Sequence, residues 1–362
     1  MKILEVITSL QVGGAEHIVV ELAIGLKTLG HDVDVVVFNG EDSVFMGELK
    51  RTGCKVYRFG KSYYNPLYII KLVQLMRQYD VIHTHNSSPQ LFVALANIFC
   101  HKKIITTEHS TNNRKRNNVL LQIIDKWMYT HYDRIICISD IAEKLLREYI
   151  GEKNTKRIST INNGVDVDAI HDVEADGKLL KLKENRKAIV MVAGFREAKD
   201  QDTLVRTLDH LNLNKFELWL VGIGVRQNIV INLVNEINEY REEKIIVRFL
   251  GLRSDVPNVL KAADIVVMSS HWEGLSLSNI EGMSAGKPFI ASDVNGLREV
   301  TKDWGLLFPH EDDKALAEII NRLGSDAEYY NEISDRCYRR AKMFDISKMV
   351  EEYNKVIVTL NN

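Results

Sequence analysis

The chain has 362 residues, 45% of them hydrophobic and 27% charged, with a formal net charge of −2 at pH 7. This is the profile of a soluble globular protein long enough for two ordinary domains, and its near-neutral balance speaks against a nucleic-acid partner. No apolar run approaches the ~18 residues that span a bilayer. Four scattered cysteines, Cys54, Cys100, Cys137 and Cys337, share no metal-like spacing and suit a reducing cytoplasm. The charge is uneven: residues 1–165 hold 21 Lys/Arg against 16 Asp/Glu, the remainder 26 against 33. A basic first half beside an acidic second half allows an anionic partner for the first, although solvated faces varying by chance give the same balance.

In chain order, MKILEVITSL is too short and too interrupted for a signal peptide and reads as a first strand, Ile3–Ile7. Gly13-Gly14-Ala15-Glu16 follows. It opens a helix in which Ile18, Val19, Leu22, Ala23, Leu26 and Leu29 recur at helical spacing, with Gly30 as a stop. Val33–Phe38, Val81–His85, Ile104–Thr107 and Ile135–Ile138 are Val/Ile-rich strands, as expected of a parallel sheet buried on both faces. The charged stretch 166–187 lacks a clean period and reads as a linker. The scheme then repeats with Ala188–Ala193, Phe216–Val221, Ile245–Leu250, Asp264–Met268 and Pro288–Ala291 as strands. The pattern predicts two doubly wound, Rossmann-like α/β domains with parallel sheets, 1–165 and 166–345. Ligands are expected in the crevice at the carboxyl ends of the strands. A last helix within 346–362 has no strand after it and is placed crossing back to the first domain.

Several motifs fall at such strand ends. Gly13 and Gly14 let backbone amides approach a phosphate, although without a full G-x-G-x-x-G a dinucleotide is disfavoured. His109, in TEHS, follows a strand and can meet a sugar hydroxyl or position a leaving group. His83 and His85 end the preceding strand. They read as hydrogen-bonded strand-end residues, with His85 also a candidate acceptor contact. Arg196 and Lys199 lie three apart on a loop entering a helix, where two cations can hold a diphosphate. Glu273, on a loop after an apolar strand, and Glu281, on the following helix, are acceptors suited to a sugar ring and a ribose. The amides of Gly274, Leu275 and Ser276 could meet phosphate oxygens.

Arg114, Lys115 and Arg116 precede a helix carrying Leu120, Leu121, Ile124, Trp127 and Met128. A basic amphipathic element suits a membrane or anionic-lipid contact, and equally a helix packed on the sheet. The loop Lys61-Ser-Tyr-Tyr-Asn65 is a second candidate contact. No acid pair of the Asp-x-Asp kind sits on a strand-end loop. Asp32-x-Asp34 starts a strand and Asp166-x-Asp168 falls in the linker. The expectation is therefore no catalytic metal and no cofactor, with cationic side chains carrying leaving-group charge.

These motifs resemble the retaining glycosyltransferases of family 4, with the two-domain GT-B fold, over nearly the whole chain. The specific part is EGLSLSNIEGMSAGKPFIASDVNGLREV, similar to the family's paired-glutamate signature. GGAE, TEHS, NNGVD, KDQDTL and LVGIG match in order and spacing. The resemblance implies two domains facing across a cleft, with the acceptor on the first and the nucleotide on the second. It implies sugar contacts for Glu273 and His109, ribose for Glu281, an amide of Gly14 near the transferred group and diphosphate for Lys199. It also implies an arginine five residues before Lys199. That position is Gly194 here, and the arginine stands at 196, either reaching the same diphosphate from a shifted backbone or contributing less.

The expected protein is a cytoplasmic, metal-independent, retaining enzyme, a candidate peripheral membrane protein at the inner face. It moves a sugar from a nucleotide diphosphate donor, taken as UDP-linked, to a lipid-linked or growing glycan acceptor in polysaccharide or glycoconjugate biosynthesis. A sugar-nucleotide-binding partner subunit and a sugar-nucleotide epimerase are the alternatives.

Overall fold

Seven parallel strands build the first sheet: β1 (Lys2–Ile7), β2 (Asp32–Asn39), β3 (Val56–Gly60), β4 (Val81–His85), β5 (Lys103–Glu108), β6 (Arg134–Cys137) and β7 (Ile158–Thr160). Their order is β3-β2-β1-β4-β5-β6-β7. Six more build the second: β8 (Lys187–Val192), β9 (Phe216–Val221), β10 (Val247–Gly251), β11 (Ile265–Met268), β12 (Phe289–Ser292) and β13 (Leu306–Phe308). Their order is β10-β9-β8-β11-β12-β13. This computed structural model describes residues 1–11, 13–109, 118–151, 157–273 and 277–361.

The chain divides into two compact units, Met1–Gly164 with Ile346–Asn362, and Val165–Asp345. In each sheet the order reverses beside the first strand, between β1 and β4 and between β8 and β11. Such a switch point leaves a crevice at the carboxyl ends of its two strands. In the first unit, Leu4, Val6, Val36, Ile82 and Ile104 pack on one sheet face with Leu72, Phe92, Val93 and Met128 from the helices. The second core gathers Ile189, Met191, Leu218, Leu220, Val266 and Ile290 with Leu204, Ile280, Leu316 and Ile320.

The last helix, Ile346–Asn361, packs on the first helix, Gly14–Thr28, where a Cβ at Gly25 would clash with Val350. His31 Nε2 and Asn354 Oδ1, 2.8 Å apart, tie the two segments together.

Two expectations need correction. Residues 166–187 are not a linker: they form helices Val167–Asp172 and Gly177–Leu182, and Val167, Ile170 and Leu179 enter the second core. The charges that mask a period serve as caps. Asp166 accepts from Ala169 N at 2.9 Å and Asp176 from Lys178 N at 2.8 Å. The strand expected at Ile245–Leu250 begins two residues later, at Val247. Among the described residues no helix is long and apolar enough to cross a membrane.

Candidate active site

Strand alternation and register assemble a polar cluster in the first unit. Successive side chains point to opposite faces, so Glu5, His83 and His85 lie opposite Leu4, Val6 and Ile82. In the parallel pairing Glu5 stands beside His83, and His85 beside Thr107. His109, two residues past Thr107, continues the same face beyond the end of β5.

The result is a chain of buried contacts. Glu5 Oε2 lies 2.8 Å from His85 Nε2 and 3.0 Å from His83 Nδ1. His85 Nδ1 lies 2.9 Å from His109 Nε2. On the far side His83 Nε2 meets Thr107 Oγ1 at 2.8 Å, and Thr107 meets the Tyr353 hydroxyl at 3.0 Å. Burial alone would raise the Glu5 pKa, but the charge and hydrogen bonds of His83 and His85 outweigh it and hold the carboxyl at about 2. Burial, reinforced by His83, lowers His85 to about 4. Burial, then His85 and His83, hold His109 well below the ordinary imidazole value.

His85 is completely buried and contacts His109 through Nδ1. Gly13 and Gly14 open the helix Gly14–Thr28, with Gly13 at the N-cap in an extended backbone conformation. The Glu16 carboxylate folds against Gly13, and burial raises its pKa.

In the second unit the loops leaving β8 and β11 bring together Lys199 and Glu273, which form an ion pair. Ser270 Oγ donates to the same carboxylate oxygen of Glu273 at 2.8 Å. Lys199 ends a 3-10 turn, Glu197–Lys199, that Arg196 opens. Arg196 is exposed and, among the described residues, has no ion-pair partner.

The loop leaving β9 fixes this turn. Phe195 N donates to Ile223 O at 3.1 Å, and side chains at Gly222 or Gly224 would clash with the backbone of Ala193 or Phe195. Glu281 is half-buried on the helix Leu277–Ser284. Gly274, Leu275 and Ser276, and likewise Arg114, Lys115 and Arg116, lie outside the described residues.

Asp200, at φ 44°, caps the helix Gln201–Thr207 through Thr203 N at 3.2 Å. Its Oδ2 is buried without a partner among the described residues, and burial raises its pKa. His271 and His310 approach it, with donor atoms of all three within 4.8 Å of one another, a set able to hold a divalent cation. Glu5, His83 and His85 lie equally close together, but His85 Nε2 already hydrogen-bonds the Glu5 carboxylate at 2.8 Å and His83 Nδ1 lies 3.0 Å from the same oxygen. Neither Glu5 nor the Asp200 set was foreseen. Alternation from His109 back through Thr107, His85 and His83 is the signal that could have found Glu5.

The family models Glycosyltransferase Family 4 and Glycosyl transferases group 1 match residues 12–169 and 172–340, respectively. The chain belongs to glycosyltransferase family 4. This family-4 chain is 26% identical, over 81% of its length and 79% of the relative's, to UDP-Gal:alpha-D-GlcNAc-diphosphoundecaprenol alpha-1,3-galactosyltransferase of Escherichia coli. It is 22% identical, over 100% and 99%, to GalNAc-alpha-(1->4)-GalNAc-alpha-(1->3)-diNAcBac-PP-undecaprenol alpha-1,4-N-acetyl-D-galactosaminyltransferase of Campylobacter jejuni. Its two parallel-sheet domains are those of the GT-B fold. HepE of Anabaena in complex with UDP superposes with a TM-score of 0.84 at 22% identity, covering 99% of this chain and 100% of that one.

Proposed function

We propose that the protein is a retaining, metal-independent glycosyltransferase that moves a sugar from a UDP-sugar to a lipid-linked or growing glycan acceptor. The observation that carries this reading is the meeting of Lys199 and Glu273 at the β8/β11 switch point, with Glu281 on the helix that follows. In this reading Lys199 faces the diphosphate, Glu273 the hydroxyls of the transferred sugar and Glu281 the ribose. Relatives named for UDP-galactose and for undecaprenol-linked acceptors, and a neighbour solved with UDP, support the donor and acceptor classes.

Gly194 does not favour an inactive partner subunit. Arg196 Nε lies 3.7 Å from where a Cβ at residue 194 would stand, so an arginine side chain still runs past that point of the loop. In this reading it reaches the diphosphate alongside Lys199, supplying charge without a metal.

Calorimetry with UDP and UDP-sugars tests the reading. Glu281→Ala is expected to weaken UDP and UDP-sugar alike, by roughly 1.5–3 kcal/mol for a hydrogen bond to a charged group. Absence of UDP binding by the wild type would overturn the donor class, and unchanged affinity in the variant would overturn the ribose assignment.

A further inference from the structure

We propose that Glu5, acting through His85, is a positioning residue that fixes His109 as the Nε2–H tautomer and leaves its Nδ1 a bare acceptor. The argument follows protons along the contacts. An ionised carboxylate only accepts, so the neutral His85 ring, 2.8 Å away through Nε2, must carry its proton on that nitrogen. Its Nδ1 is then a lone pair. His109 Nε2, 2.9 Å from that lone pair, must be the donor. A neutral His109 so protonated has no hydrogen on Nδ1.

That Nδ1 is buried and, among the described residues, has no partner. An unpaired buried acceptor is costly unless a ligand supplies a donor. In the glycosyltransferase reading, on which this last step rests, the donor is a hydroxyl of the transferred sugar. His83, whose Nε2 meets Thr107, stands on the other side with its Nδ1 3.0 Å from the same Glu5 oxygen.

The test is a long-range nitrogen–carbon correlation spectrum of the histidine rings in the full chain at neutral pH, with His109 assigned by its loss in His109→Asn. The expected wild-type pattern is a single tautomer protonated at Nε2; a proton on Nδ1 overturns the inference without any variant of Glu5. Glu5→Gln places a carboxamide that can donate to His85, which then turns its Nδ1–H toward His109. The expected result is inversion or mixing of the His109 tautomer. An unchanged tautomer in folded Glu5→Gln overturns the role of Glu5. If that variant does not fold, His85→Gln serves the same purpose, since its amide can donate or accept toward His109.

A second readout separates this inference from the function on which its last step rests. Glu5→Gln is expected to lower kcat/KM for the UDP-sugar about tenfold, as the loss of one buried hydrogen bond, with UDP affinity unchanged. An inverted tautomer with unaltered transfer would leave the proton order standing and remove the sugar contact.

Discussion

At the scale of single residues, the pairing of Lys199 with Glu273 couples two proposed roles. A diphosphate at Lys199 must share or displace the Glu273 carboxylate, which Ser270 also holds. Glu273→Gln keeps an acceptor for hydroxyls but removes the charge that competes for Lys199. UDP affinity is therefore expected to stay within about threefold of wild type or to rise, because a partly exposed ion pair is worth only ~0–1 kcal/mol. Turnover is expected to fall about tenfold or more, since contacts on the reacting sugar count most in the transition state. Lys199→Ala is the opposite case, weakening UDP by roughly 1.5–3 kcal/mol. Calorimetry beside a transfer assay reads both. A parallel fall of UDP affinity and turnover in Glu273→Gln would place Glu273 on the nucleotide instead.

At the scale of elements, the helix Val119–Thr130 is unusual for what it leaves outside. Met128 and Tyr129 are buried, but Val119, Leu120, Leu121, Ile123 and Ile124 are all exposed. The apolar stripe expected from Leu120 to Met128 is thus split: Met128 and Tyr129 enter the core, with Asp125 buried beside them, while Val119 to Ile124 present an apolar end to solvent. Such an end, following a basic stretch, suits the headgroup boundary of a bilayer. Replacing Leu120, Ile123 and Ile124 by Ser is expected to leave thermal stability within about 1 kcal/mol, as for exposed positions, and to reduce co-sedimentation with anionic vesicles. Equal sedimentation of variant and wild type would show that this face does not meet lipid. Exposure of this kind is not legible from period alone, because a helix reads the same whichever side its neighbours cover. The Val/Ile-rich strands are legible, since burial on both faces demands such runs. Strands β3, β7 and β13 are not: VYRFG is broken by Arg58, and the other two are three residues long and sit at sheet edges, where pairing decides their form. Lys199, Glu273 and His109 announce themselves at strand ends. Glu5 does not, because one acid in an apolar strand acquires a meaning only when β1 is set in register against β4.

At the scale of the whole molecule, the buried histidines make the two units respond differently to acid. His85 falls from an ordinary 6.5 to about 4, and His109 lies well below 6.5. Between those limits the unfolded chain takes up protons that the folded unit refuses, so stability is full above about pH 6.5 and falls as the pH drops toward 4. Glu5, held at about 2 against an ordinary 4.5, extends the loss below pH 4.5. Glu16, raised by burial, works against it there. In the second unit Asp200 has the opposite sign: burial raises its pKa, so the folded form keeps its proton more readily as the pH falls. The first unit is therefore expected to lose about 2 kcal/mol through His85 between pH 7 and pH 5, at about 1.4 kcal/mol per pH unit below 6.5, with His109 adding to the loss in the same direction. The second is expected to lose little. Hydrogen exchange at the two pH values, corrected for the intrinsic rate, locates the effect, because protection in core strands tracks the stability of the unit that contains them. Peptides from β1, β4 and β5 should lose protection while those from β8 and β11 hold theirs. Equal loss in both sheets, or none in the first, would mean that Glu5, His85 and His109 are not held in the protonation states that their burial and contacts dictate.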